Sequence, residues 1–398
     1  MITLKDIQDA AQTISAFVHE TPLVHSNSFS EMTGADVYIK AENFQKTGSF
    51  KVRGAFNKIS SLREKKVIAA SMGNHAQGVA FAASRIGIPA KIIMPLNAPL
   101  VKQEATKGYG AEVELYGETF QEALEYAQAQ KDYTFVHAFD DEAVIAGQGT
   151  IGLEVLSALH SVDAVLVPVG GGGLISGIAV AIKSISPRTE VIGVQTASAA
   201  SACESFRRGS IQECMPASTL ADGIAVGKVG RITFGIMRDY VDDMMTVHDD
   251  SIAMAILLFM ERKKMVAEGA GAVSLAALID NADRFRGKKV VLLVSGGNID
   301  FTLIDRIIHK GMARSGRVGT FGVTVDDIPG KLHLLTGIIA RQRGNILSIE
   351  HDRLSPDLTV SQTRVMFTVE VRNSQHLRMI TDEMEQKGFV VGEADQEK

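Results

Sequence analysis

Residues 4–18 set Leu4, Ile7, Ala11, Ile14 and Phe17 at helical spacing, and Thr21-Pro22 closes that helix. Strand-like runs follow at 37–41, 66–70, 90–94 and 112–116, separated by helical patterns. That alternation predicts a parallel sheet with helices on its faces. A second set of strands, at 163–169, 190–195 and 289–294, reads as continuous apolar runs, the pattern of strands buried on both faces. Gly170-Gly171 follows one of them and Ser295-Gly296-Gly297-Asn298 another. Ligands of open α/β sheets bind at that C-terminal edge.

The pattern changes near residue 313. Ala313-Arg314-Ser315-Gly316-Arg317 reads as a linker, and a β-α-β-β-α-β order follows: strand 318–326, helix 330–342, strands 345–354 and 361–371, helix 375–387, strand 388–393. This is the ferredoxin-like order. Alternation in Arg364-Val365-Met366-Phe367-Thr368-Val369 suits a sheet covered on one face. The expected division is a catalytic domain at 1–313, with a smaller subdomain at roughly 48–150, and a second domain at 318–398.

Composition narrows the function classes. The 398 residues carry 41 basic and 46 acidic side chains, a net charge of −5, which provides no basic field for nucleic acid. Two cysteines, Cys203 and Cys214, are too few for a disulfide framework and show no metal-ligand spacing, as in a reducing, cytoplasmic setting. No apolar run approaches the roughly 18 residues of a membrane span, and Met1–Asp6 reads as a helix start rather than a signal peptide.

Chemistry concentrates in four places. Lys51 sits in Gly48-Ser49-Phe50-Lys51-Val52-Arg53-Gly54-Ala55, where small residues admit a ring close to the backbone and Phe50 supplies packing. Most lysines on helices are solvated, but a desolvated one is a neutral nucleophile and base. Gly170, Gly171, Gly172 and Gly173, with Leu174, open a helix after a strand. A nucleotide loop is the rival there, yet the spacing lacks Gly-x-Gly-x-x-Gly, the Gly-Lys-Ser/Thr of a P-loop, and an acidic residue about 20 positions on. A monophosphate cup at a helix N-terminus fits better. A Schiff-base lysine and a phosphate cup together point to pyridoxal phosphate. Ser71-Met72-Gly73-Asn74-His75 lies at another strand-to-helix turn suited to a carboxylate, and Asn74 could meet a phenolic oxygen. His75 is either a general base or a structural histidine. Ser295 offers one hydroxyl at the end of a buried strand, or is part of a plain turn.

As a set, these segments resemble the fold-type II pyridoxal-phosphate enzymes, in the threonine dehydratase and serine racemase branch. The resemblance spans residues 1–312. It implies two open parallel-sheet subdomains, with Lys51 as the Schiff-base and catalytic residue and Phe50 packing beside the cofactor. It further implies Gly170–Leu174 on the phosphate, Asn74 on the ring hydroxyl, Ser295 on the ring nitrogen, and Ser71, Met72, Gly73, Asn74 and His75 around the substrate carboxylate. Residues 318–393 resemble an ACT domain through Asp327-Ile328-Pro329-Gly330-Lys331-Leu332 and Gly344-Asn345-Ile346. Its implied effector positions are Ile328, Pro329, Gly330, Leu332, Asn345 and Ile346.

Several positions depart from the racemases. Met72 stands where they carry a serine and cannot exchange a proton. Gln195 and Ser201 stand where they carry two cation-binding carboxylates, so no metal is expected. The asparagine is followed by His75-Ala76 rather than the Thr-Gly of the sulfhydrylases. The resemblance therefore implies a cytoplasmic L-threonine (and L-serine) dehydratase using pyridoxal 5'-phosphate. It would be regulated by an amino acid at the ACT domain, and a homodimer or homotetramer. Serine racemase and 3-hydroxyaspartate dehydratase are the alternatives within the fold; a nucleotide-binding enzyme or an inert amino-acid sensor are the alternatives outside it.

Overall fold

A computed structural model describes residues 2–62 and 66–393. They form two compact units, Met1–Asp300 and Phe301–Lys398. In chain order the strands of the first unit are β1 (Leu23–His25), β2 (Asp36–Ala41), β3 (Lys66–Ala70), β4 (Ala90–Met94), β5 (Glu112–Leu115), β6 (Tyr133–Phe135), β7 (Ala164–Pro168), β8 (Glu190–Thr196), β9 (Asp243–Val247) and β10 (Lys289–Val294). They make two open sheets, one ordered β1-β2-β10-β7-β8-β9 and one ordered β5-β4-β3-β6. Among the strands of the described residues in these two sheets, β1 pairs antiparallel with β2 and the other neighbours pair in parallel. The continuous apolar runs are the central strands: Val290 to Val294 of β10 and Ala164 to Val167 of β7 are all buried. Three short strands, β1, β6 and β9, escape the sequence pattern, because two have three residues and the third is half polar.

The first helix, Leu4–Ile14, is shorter than its periodicity suggests. The chain turns after Ile14, and Phe17 stacks on Phe56 with ring centroids 4.8 Å apart rather than extending the helix.

Helix Glu142–Ala158, capped by the Asp141 carboxylate, links the two sheets' helical layers through backbone-on-backbone contact. A Cβ at Gly147 would lie 2.7 Å from the Arg53 carbonyl oxygen and Gly54 Cα on helix Lys51–Ser60. One at Gly149 would lie 2.7 Å from the Gly177 carbonyl oxygen on helix Gly173–Ile185. Gly54 therefore serves helix packing and not the approach of a ring: its own Cβ would meet Gln148 Nε2 at 2.4 Å. Beneath these helices Arg53, fully buried, donates to Glu42 and Glu154, and Lys40 also donates to Glu154. Burial pushes the Glu42 carboxyl up, but the Arg53 charge prevails and holds it below its ordinary value.

The second unit opens with helix Phe301–Arg314, so Ala313 and Arg314 are helical rather than linker, and Arg317 N–H donates back to the Met312 carbonyl at 2.9 Å. Then come β11 (Val318–Asp326), helix Lys331–Arg341, β12 (Asn345–Asp352), β13 (Gln362–Glu370), helix Ser374–Gln386 and β14 (Val390–Glu393). The antiparallel order β12-β13-β11-β14 is that of a ferredoxin-like sheet. Its core joins Phe321, Val323, Leu335, Val365, Phe367 and Ile380. Among the expected effector positions, Pro329 precedes Gly330, the left-handed N-cap (φ +95°) of helix Lys331–Arg341. Ile328 and Leu332 are exposed, Ile346 packs against the core, and Asn345 donates to Glu370. Among the described residues no helix is long and apolar enough to cross a membrane.

Candidate active site

Chain ends of several strands converge where the two sheets of the first unit meet. Ser49 pairs with Gly296 in an isolated antiparallel bridge, and Phe50 N–H donates to the Ser295 carbonyl at 3.1 Å. This pins the start of helix Lys51–Ser60 to the end of β10. The half-buried Lys51 Nζ donates to the Ala138 carbonyl at 3.0 Å and lies 5.2 Å from the Phe50 ring centroid. Burial pulls the Lys51 ammonium down to about 8, against the opposing pull of Glu268. An appreciable share of the amine is thus neutral near physiological pH.

The four glycines join β7 to helix Gly173–Ile185. Gly172 has φ +94°, and a Cβ there would come within 2.8 Å of Met237 Sδ. A Cβ at Gly171 would stand 2.4 Å from the Phe139 ring. The Gly171 carbonyl accepts from Thr233 Oγ1 and Gly230 N–H, so it is turned away from the loop's N–H face. Helix-opening N–H groups have no intrahelical acceptor and favour an anion. Residues 138–140 tie the parts together. Ala138 receives Lys51, Phe139 packs on the glycine loop, and Asp140 accepts the first N–H groups of helix Arg231–Tyr240.

Ser71 follows β3, and its hydroxyl accepts from Gly73 N–H at 3.1 Å; a Cβ at Gly73 would meet nothing within 4 Å. Asn74 opens helix Asn74–Ile86. His75 is buried, its Nε2 is paired with the Val136 carbonyl at 2.9 Å, and burial drives its imidazolium down to about 3. That arrangement is the one expected of a structural histidine. Ser295, 2% exposed, stands at the end of β10. Gln195 and Ser201 are both committed to the backbone: Gln195 Oε1 accepts from the N–H groups of Ala202 and Cys203, and Ser201 Oγ donates to Val226. Among the described residues no three or more His, Cys, Asp or Glu side chains cluster as metal ligands.

One participant has no sequence motif of the expected kind. Glu268, 7% exposed, receives Asn74 Nδ2 on both oxygens, at 2.8 and 3.0 Å. In Val266-Ala267-Glu268-Gly269-Ala270-Gly271 it reads as an ordinary acid at a helix start. The only available signal was its small-residue surroundings. Residues 138–140 were missed for the same reason, since their partners lie far away in sequence.

The residues present fit pyridoxal phosphate: a lysine of depressed basicity whose Nζ donates to Ala138, a glycine loop packed on Phe139 with no room for a Cβ at Gly171 or Gly172, an amide at Asn74 and a hydroxyl at Ser295, next to Phe50. Residues 14–296 match the family model described as pyridoxal-phosphate dependent enzyme, and the chain belongs to that family. Among its relatives, the L-threonine ammonia-lyase of Thermotoga maritima is 49% identical over 98% of this chain and 99% of its own. The processed threonine deaminase isoform 2 of Solanum lycopersicum superposes with a TM-score of 0.74 at 38% identity, covering 77% of this chain and 87% of its own. Maize serine racemase superposes at 0.73 and 34% identity, covering 78% and 98%.

Proposed function

We propose that this chain is an L-threonine ammonia-lyase, converting L-threonine to 2-oxobutyrate and ammonia, and L-serine to pyruvate and ammonia. The observation that carries the chemistry is the Lys51 amine: half-buried, held by the Ala138 carbonyl, and lowered to about 8. Pyridoxal phosphate, when bound, supplies an aldehyde for the substrate amine and a conjugated system that acidifies the substrate Cα–H. Neutral Lys51 Nζ would take the proton from Cα, the β-hydroxyl would take up a proton and leave as water, and hydrolysis of the released enamine would give the 2-oxo acid and ammonia. The glycine loop Gly170–Gly173 and Leu174 would hold the phosphate, Asn74 would serve the ring oxygen, Ser295 the ring nitrogen, and Phe50 would pack beside the ring. A neutral Ser295 hydroxyl would not force a proton onto the ring nitrogen, which would favour prompt loss of the β-group. The turn from Ser71 to His75 presents the helix-opening N–H groups to the substrate carboxylate.

Met72 packs against the core of the four-stranded sheet, and a thioether carries no exchangeable proton. Elimination without racemisation follows. The second unit is proposed as an ACT domain that binds an amino acid near Ile328–Gly330 and Asn345, in a cytoplasmic homodimer or homotetramer. The catalytic role is assigned to the unit Met1–Asp300 and the regulatory role to the unit that begins at Phe301. The test is release of 2-oxo acid and ammonia by cofactor-loaded protein from L-threonine and L-serine, with D-serine formation assayed in parallel. No release from either substrate overturns the proposal; D-serine as the main product would replace it with racemisation.

A further inference from the structure

Glu268 is the N-cap residue of helix Gly269–Asp280, but its side chain makes no capping hydrogen bond. Its carboxylate instead reaches Asn74, on a helix that packs with the other sheet. Room for it is built in: a Cβ at Gly296 would fall 2.4 Å from Glu268 Oε1. The Asn298 backbone also hydrogen-bonds to the carboxylate, while Asn298 Nδ2 donates to Asn74 Oδ1 at 2.8 Å and to the Thr47 carbonyl at 2.8 Å. Both ends of the Asn74 amide are thereby specified. Turning the amide over would face its oxygen to the carboxylate and its NH₂ to the Asn298 NH₂, losing both bonds. The two oxygens of one carboxylate subtend too small an angle at Nδ2 to engage both of its N–H bonds. One N–H is left to donate elsewhere.

We propose that Glu268 is a positioning residue for the reaction: its buried carboxylate locks the Asn74 amide with an N–H toward the cofactor's ring oxygen, and its charge holds a proton at Lys51. This rests on the pyridoxal-phosphate reading of the site. The charged groups around Glu268 come from three elements: Lys51 from helix Lys51–Ser60, Lys102 from helix Leu100–Gly108, and Asp222 from the turn Asp222–Ile224. His75 and His137, which also face Lys51, are pushed toward the neutral form by burial. Burial raises the Glu268 carboxyl to about 7, against the Asn74 hydrogen bond, so its charge changes within the working pH range.

Two variants separate orientation from charge. Glu268→Gln keeps an oxygen for Asn74 Nδ2 but no charge; Glu268→Ala removes both. Cofactor affinity is measured by titration, and the pH at which the visible absorbance band of the loaded protein changes is measured with kcat and KM. E268A should bind cofactor at least about tenfold more weakly, the scale of a lost hydrogen bond to a charged group. E268Q should bind within about threefold of the parent but change its band at a pH lower by on the order of one unit, because a removed carboxylate no longer favours the proton. In E268Q, kcat should fall more than KM changes. An unmoved band in E268Q, or parental affinity in folded E268A, overturns the proposal. If E268A does not fold, the band of E268Q decides alone. A parent protein with no visible band would overturn the cofactor reading itself; a normal parental band with unaltered variants overturns only the role of Glu268.

Discussion

In the proposed reaction Lys51 would concentrate two duties in one amine, attachment of the cofactor and removal of the Cα proton. Lys51→Ala should lower ammonia release from threonine by at least about 10³-fold, within the range general-base catalysis supplies, with the circular dichroism spectrum unchanged. Gln195 and Ser201 spend their oxygens on backbone partners, so EDTA should alter kcat by less than about twofold; a large loss restored by magnesium would contradict this. Glu268 makes stability depend on pH with a defined sign. Its carboxyl rises from 4.5 to about 7 on folding, so the contribution is present below pH 4.5 and lost as pH climbs through 7. In cofactor-free protein, E268Q should gain roughly 3 kcal/mol relative to the parent between those limits, read from urea unfolding at each pH. Asn74, Ser295 and the glycines stand out in the sequence because each lies in a small-residue turn after an apolar strand, and Lys51 because of its small and aromatic neighbours at a helix start. Glu268 does not, because its partner is 194 positions away and its own helix start gives an acid an ordinary reason to be there.

At the scale of single elements, the glycine loop and the ion cluster behind helix Lys51–Ser60 are the sensitive parts. Gly172→Val forces a side chain into the left-handed region and against Met237, costing about 1–2 kcal/mol from conformation alone. Cofactor retention after dialysis should fall, and unchanged retention would reduce the loop to a plain turn. Arg53→Ala leaves Glu42 buried with its main countercharge gone, so a loss of about 3–5 kcal/mol is expected in denaturant unfolding. The long buried strands and their order-defining turns could be read from the sequence, since an apolar run flanked by glycine has few other meanings. The edge strands β1, β6 and β9 could not, because sheet edges need neither length nor apolar continuity. The first helix was overextended because Phe17 keeps the periodic position while serving a different contact, the stack on Phe56.

For the whole molecule, the order of strands and helices in the second unit and the alternation of strand and helix in the first follow from sequence pattern, whereas what the second unit binds does not. Two of the effector candidates, Asn345 and Ile346, are engaged within that unit, and Ile328 and Leu332 are exposed. Isoleucine, valine or another amino acid is expected to shift the threonine saturation curve of the full chain, by a coupling of about 1–3 kcal/mol. Removing residues from Phe301 onward should abolish the shift and keep elimination, with sizing of the shortened protein run alongside to separate lost regulation from lost assembly. The glycine contacts that join helices Lys51–Ser60, Glu142–Ala158 and Gly173–Ile185 have a metric consequence. Main chain pressed on main chain has no rotamer to yield, so the span from reactive amine to phosphate loop works as a fixed gauge. Cofactor analogues altered on the ring should still enter and bind, whereas those whose phosphate arm is one bond longer or shorter should be refused.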